Sequence, residues 1–484
     1  MKYWLSIIFF SMFLSIQAQE QSTYRPSLSK LPYKQKFQER IEMELAQDVA
    51  AIEGGNKKEI SGIYLDRANY VLQAATSGEF IYGTTINTYT EAILNELLEG
   101  NPEIPADRIK LFISRDYVPN ASCIGEGSIV MNIGLIRRFE NESQVAFVLA
   151  HELAHYIDNH VNQGIQEYVS TKNSKATQKQ IKQIRKAKYQ RNQKGLDLLK
   201  SFTYNTSRHT RTKESAADAK AIELLSNTKY DLNEAVKALE MLDTIDEDKY
   251  EVKLNLIKSF DRQLYPFQPE WLEEENELAI FFGAGKTDQE EVMHPDSLKT
   301  HPNSLVRAEQ VSKKISSLTN GGSVSIQPVS MHEAAVKQAD FDMVLSAYHY
   351  KNYGLVVYQS LVLQEKYPDD PFLIGIIGAV MGEMAEAIED KELGKILPQS
   401  SPAFEEDYNT VLKFLNGLSY KNMKEVGYNY VRTYRDDAGK SEALAYALAL
   451  TSKLKGKYDD KEKYKGIYFN KFPNGYFVKQ ARKV

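Results

Sequence analysis

At 484 residues the chain is longer than one hydrophobic core usually supports, so two or three domains are expected. Its 42% hydrophobic and 26% charged residues exclude collagenous, disulfide-scaffold and wholly disordered classes. A net charge of -5 gives no global field for nucleic acid or an anionic membrane, and the single cysteine, Cys123, excludes an intrachain disulfide and any zinc site of paired cysteines.

Lys2 is followed by an apolar run from Tyr3 to Ile16 and then Gln17 and Ala18. The charged start, short hydrophobic stretch and small residue predict a secretory signal over 1–18, cut after Ala18. The run is shorter than the roughly 20 residues that cross a bilayer. A periplasmic or extracytoplasmic location is therefore expected, with an N-terminal membrane anchor as the alternative. The best later apolar stretch, Phe372 to Met381, is short and interrupted by glycines, so no integral membrane segment is expected once the signal is removed.

Phe37, Ile41, Leu45, Val49 and Ile52 recur at helical spacing and predict a helix over 33–53, closed by Gly54-Gly55, with another over 61–75. The stretch 109–118 is β-like, with Leu111 and Ile113 inward; Gly125 and Gly127 break it before a second strand over 128–132. Helix returns over 142–159, where Val145, Val148, Leu149, Leu153 and Tyr156 form one face. Lys and Arg crowd 172–200, which reads as a solvated helical arm or as an electrostatic grip on an acidic partner.

His151-Glu152-Leu153-Ala154-His155 puts two imidazoles four positions apart on one helical face, where both reach one cation, with Glu152 beside them as a base. Neutral imidazoles suit zinc, and a catalytic site leaves one position open for water. The metzincin pattern fails because Asp158 and Val161 stand where it needs Gly and His, with His160 out of register. A gluzincin takes a Glu from a second helix instead, and Glu214 opens an apolar helix with Asp218 one turn further on the same face. Asp218 is placed to receive a hydrogen bond from a ligand imidazole.

Five features in this order resemble the HtpX/BepA-like zinc metallopeptidases, which are gluzincins of metallopeptidase family 48: Asn120-Ala121; the strand and loop from Gly127 to Leu135 running into Arg137; the segment from Val148 to His155; Arg211 to Asp218; and Thr300-His301-Pro302 with Arg307. The resemblance covers about 60–317. It implies one zinc ion held by His151, His155 and Glu214, Glu152 as general base and Asp218 as an outer partner. It also implies Asn120 and Ala121 on a strand that pairs with extended substrate, and His301 as a transition-state contact or latch; Arg307 reads as a structural partner. The long basic insert and Cys123-Ile124-Gly125-Glu126 depart from the family pattern and leave the substrate groove open.

Asn320-Gly321-Gly322-Ser323 reads as a flexible break. Beyond it, Glu365 to Pro371 resembles the helix-ending turn of a tetratricopeptide repeat, and similar punctuation recurs at Tyr434 to Asp437 and at Phe472 to Gly475. The expected architecture is mainly α with a small β-sheet: a zinc-peptidase domain over 19–320 followed by a helical-repeat domain over 321–484. Protein or peptide substrates are expected, including misfolded or misassembled envelope proteins, with assembly partners recruited by the repeats and no nucleic acid. The alternative is a latent or non-proteolytic chaperone or scaffold that works through the helices.

Overall fold

The computed structural model describes residues 24–27, 31, 34–186, 211–244, 253–272, 304–318 and 322–484, with 403 excepted. The signal over 1–18, the end of the basic segment and His301 lie outside the described residues. The described part is mainly helical around one four-stranded sheet, as expected. In chain order the strands are β1 (Phe80–Ile81), β2 (Lys110–Ser114), β3 (Ala121–Cys123) and β4 (Ser128–Asn132). Their order across the sheet is β1-β2-β4-β3, with β2 and β4 parallel and both outer pairs antiparallel.

The sequence pattern put Leu111 and Ile113 inward, but β2 is covered on both faces. Ile113 joins the large peptidase core, while Phe112 packs with Phe80, Val71 and Ile41 beneath helices Lys34–Ala50 and Lys57–Ser77. Strands clothed on both sides lose the simple alternation, so a period-two reading finds only half of their burial. The buried Lys110 Nζ meets Glu44 Oε2 at 2.5 Å, which ties the first helix to the sheet.

A second core fills the C-terminal part, where Tyr353–Lys366 packs as a hairpin with Pro371–Glu389 and Glu442–Leu454 with Tyr458–Lys471, while Glu406–Asn416 packs on Tyr353–Lys366 and Tyr420–Arg432 on Pro371–Glu389. Asp370 caps the central helix through the N–H groups of Phe372 and Leu373, and Pro371 occupies its first turn. This helix is long and apolar enough to cross a bilayer, yet 72% of its apolar window is buried in the fold. Its glycines allow that closeness: a Cβ on Gly375 would sit 2.2 Å from the Leu444 main-chain nitrogen, and one on Gly378 would sit 2.0 Å from Val431 Cγ1.

The two cores do not divide at residue 320. Leu256, Phe260 and Trp271, from the segment expected in the peptidase part, are buried in the C-terminal core, as is Tyr24. Helix Val329–His349 belongs to both: Ala335, Ala339 and Met343 pack into the peptidase core, whereas Phe341, Val344 and Tyr348 face the second. The described end of the expected flexible break, Gly322-Ser323, is strapped down. Ser323 N donates to Lys229 O at 2.7 Å, and Ser143 N donates to Val324 O at 3.0 Å. Gly322 is required there because a Cβ would lie 2.0 Å from the Tyr230 carbonyl oxygen. A glycine reads locally as freedom; here Gly322 permits close backbone approach.

His332 fastens the shared helix to the peptidase core. Tyr89 OH lies 2.9 Å from its Nδ1, and its Nε2 lies 3.0 Å from the Phe139 carbonyl oxygen. Nε2 therefore carries a proton, and in the neutral ring Nδ1 accepts from the Tyr89 hydroxyl. Burial holds this histidine below its ordinary value of 6.5 despite the Phe139 carbonyl. A folded-state value lower than the unfolded one means that its contribution is complete above 6.5 and is lost as pH falls toward the folded value. Urea unfolding at pH 7.5 and 5.5 should show a loss of stability on acidification that is smaller in His332→Gln.

Candidate metal centre

Helix Glu142–Ile157 starts where the Asn141 side chain accepts from Gln144 N, and it is buried along nearly its whole length against β3 and the peptidase core. Four-residue spacing stacks His151 and His155, whose Nε2 atoms are 3.0 Å apart. Glu214, on the helix over 211–226, places Oε2 3.4 Å from His151 Nε2 and Oε1 3.4 Å from His155 Nε2. The structure thus joins the three expected donors, all within 4.8 Å of one another. Zinc–nitrogen and zinc–oxygen bonds of about 2.0–2.2 Å in a tetrahedron imply donor separations of roughly 3.3 Å, which this set matches.

Charge gives a second test of fit. Glu152, Glu214 and Asp218 are buried carboxylates, and the buried Arg307 guanidinium offsets one of their three charges. A divalent cation balances the other two. Burial opposes a charge on His151, but Asp218 and Glu214 outweigh it and push the imidazole up to about 10. The cluster therefore draws positive charge to where the imidazoles converge. Zinc fits this set of nitrogen and carboxylate donors.

Asp218 lies where the sequence put it, with Oδ1 2.9 Å from His151 Nδ1. Arg307, on helix Ser304–Ile315, donates to both Asp218 oxygens at 2.6 and 2.7 Å and lies 3.1 Å from Glu214 Oε2. Although burial raises the Asp218 carboxyl, Arg307 and His151 hold it below the usual carboxylate range. Arg307 thus orients a candidate ligand and an outer carboxylate with one planar group.

Sequence reasoning missed His160. Asn159 adopts a left-handed φ of 55°, ending one helix and starting His160–Asn173, and this turns His160 back until its Nδ1 lies 3.0 Å from His155 Nδ1. Counting register along a single helix places it elsewhere; the helix-breaking pair Asp158-Asn159 was the only signal. Burial and the neighbouring His155 keep His160 below its ordinary value, and with a metal on His155 Nε2 the His155 Nδ1–H would donate to it. Outer partners of ligand histidines are typically worth about 10–100-fold in metal affinity. His160→Ala should weaken zinc binding by about that factor, with partial recovery in His160→Gln, measured by competition with a chromophoric chelator; unchanged affinity in the alanine variant would remove this role.

Strand β3 supplies the edge beside Glu152. Ile124 N donates to Ser128 O at 2.8 Å and Asn132 N to Asn120 O at 2.9 Å, so residues 120, 122 and 124 turn their main chain toward β4. The alternation leaves Ala121 and Cys123 facing outward. Cys123 N donates to Glu152 Oε2 at 2.6 Å. Of the two residues expected to meet an extended chain, Ala121 is on the open register and Asn120 has its carbonyl committed to β4; Cys123 is the outward neighbour that the sequence reading did not include. Burial pushes the Cys123 thiol up, with Glu152 adding to the effect, so it stays protonated.

Residues 86–315 match the family model for Peptidase family M48. Over 98 residues the chain is 29% identical to a beta-barrel assembly-enhancing protease of Yersinia pestis, covering 20% of each protein. Over 56 residues it is 34% identical to the mitochondrial metalloendopeptidase OMA1 of Arabidopsis thaliana, covering 12% of each. The chain thus spans a fifth or less of the length of these curated relatives.

Proposed function

Because residues 86–315 belong to peptidase family M48, we propose that this protein is a zinc-dependent endopeptidase that hydrolyses misfolded or misassembled envelope proteins. The observation that carries this reading is the convergence of His151, His155 and Glu214 beside a buried Glu152 and an open strand edge. A periplasmic or extracytoplasmic location follows from the signal-like start, and recruitment of assembly partners falls to the C-terminal helices, read as degenerate tetratricopeptide-like repeats.

A zinc ion held by His151, His155 and Glu214 would supply Lewis-acid activation of water and of the scissile carbonyl. Extended substrate adds to β3 through the main-chain groups of Ala121 and Cys123. Its carbonyl takes the Cys123 N–H, which releases Glu152 Oε2 to accept the proton of the attacking water. Glu152 then passes that proton to the departing amine nitrogen. Arg307 and Asp218 hold Glu214 and His151 in place throughout.

Casein cleavage that is abolished by 1,10-phenanthroline and restored by zinc, with about one zinc per chain by mass spectrometry, is the expected result. A zinc-loaded protein that binds unfolded clients without cutting them overturns the proposal in favour of a scaffold.

A further inference from the structure

Far from the metal centre, a cavity of about 680 Å³ opens in the C-terminal part, bordered by the end of helix Val329–His349, the central helix and the terminal helix Val478–Lys483. Glu383 lies on its wall. Three tyrosines from three helices donate to this one carboxylate: Tyr348 at 2.6 Å and Tyr446 at 2.9 Å to Oε1, and Tyr353 to Oε2. Among the described residues no Lys, Arg or His forms an ion pair with it. Glu142 and Glu442 likewise form no ion pair among the described residues, but main-chain N–H groups bind them, from Ile326 and Gln327 in one case and Phe477 in the other, and the Arg25 charge also favours the Glu442 carboxylate. Among the described residues Glu383 has only phenols as partners, and it faces open space.

We propose that this cavity binds a lysine or arginine side chain of a polypeptide, flanked in that polypeptide by acidic residues. A phenol that donates its proton to a carboxylate keeps lone pairs that accept from an ammonium, so the cation, the tyrosines and Glu383 form one mutually polarised chain. The rings supply π faces as well. Tyr348 and Tyr353 stack with centroids 5.6 Å apart, and Tyr476 stands 6.4 Å from Tyr348 at 62°. The rim carries an excess of positive charge: Lys453 is paired with Glu386 and Lys395 with Glu392, and among the described residues Lys351, Lys479 and Lys483 form no ion pair, against the single unpaired acid Asp390. A basic residue between acidic ones meets both demands.

The inference rests on the peptidase reading only in taking the occupant to be a polypeptide, and its test reads binding without turnover. Two fluorescein-labelled peptides, an identical Asp-rich sequence with either lysine or norleucine at its centre, are titrated into the full-length Glu152→Gln protein and followed by anisotropy. The lysine peptide is expected to bind about tenfold more tightly. Glu383→Gln should erase that preference. Tyr476→Ala, which removes a cavity wall and none of the three hydrogen bonds to Glu383, should reduce it about threefold; this variant decides the matter if Glu383→Gln does not fold. Equal binding of the two peptides, or a preference that survives in folded Glu383→Gln or undiminished in Tyr476→Ala, overturns the proposal. Failure of the peptidase reading alone shows as absent casein cleavage with the lysine preference intact.

Discussion

Glu152→Gln is expected to lower peptide hydrolysis by at least about 10²–10⁴-fold, the usual worth of general acid–base catalysis, without loss of the fold or of the metal. The amide has the carboxylate's shape, and its oxygen still accepts from Cys123 N, so the contact between the helix and β3 survives. Glu152 is not among the three converging donors, so zinc content should match that of the parent. The amide cannot take a proton from water at neutral pH, and this alone separates the two proteins. Equal casein cleavage by both, at equal zinc content and equal melting temperature, would sink the role assigned to Glu152.

Arg307→Ala should produce the largest loss of stability. The guanidinium is buried, and its removal strands Asp218 and Glu214, themselves buried, without their shared cation. Breaking a buried pair by deleting one partner typically costs about 3–5 kcal/mol, a large part of the 5–15 kcal/mol that holds a domain folded. A bound divalent ion offsets some of the exposed charge, so the loss should be greater after EDTA treatment than with zinc present. Urea unfolding under both conditions measures this. Arg307→Lys should recover only part of the stability, because a point charge cannot reproduce the fork that reaches both Asp218 oxygens. A zinc-free Arg307→Ala protein as stable as the parent would show that the ion pair is not what holds the two helices together.

Much of the site was legible because its parts are local. The His151–His155 spacing is a property of one helix, and Glu214 with Asp218 is a property of another, so a period of 3.6 shows each pair on one face, while choosing Glu214 as the third donor rested on the gluzincin pattern. His160 was not legible, since its approach to His155 depends on the single left-handed residue Asn159. The open register of β3 was also hidden. Choosing Ala121 and Cys123 over Asn120 requires knowing which residues β4 engages, and a one-residue shift reverses every choice.

The sequence by itself determined the helical class, the donor pair on the helix carrying the HELAH segment, the acidic pair on the second helix and the absence of any cysteine-based alternative. Only the tertiary structure decided that these two helices face each other, that Arg307 from a third helix holds the acidic pair and that Glu383 gathers three tyrosines at a cavity. It also decided that residues 253–272 and Tyr24 serve the C-terminal core and not the peptidase. The physical reason is range. Periodicity and capping act over a few residues and are written in neighbouring positions, whereas burial, ion pairing and strand register join groups distant along the chain, and their energies exist only once the chain has brought those groups together.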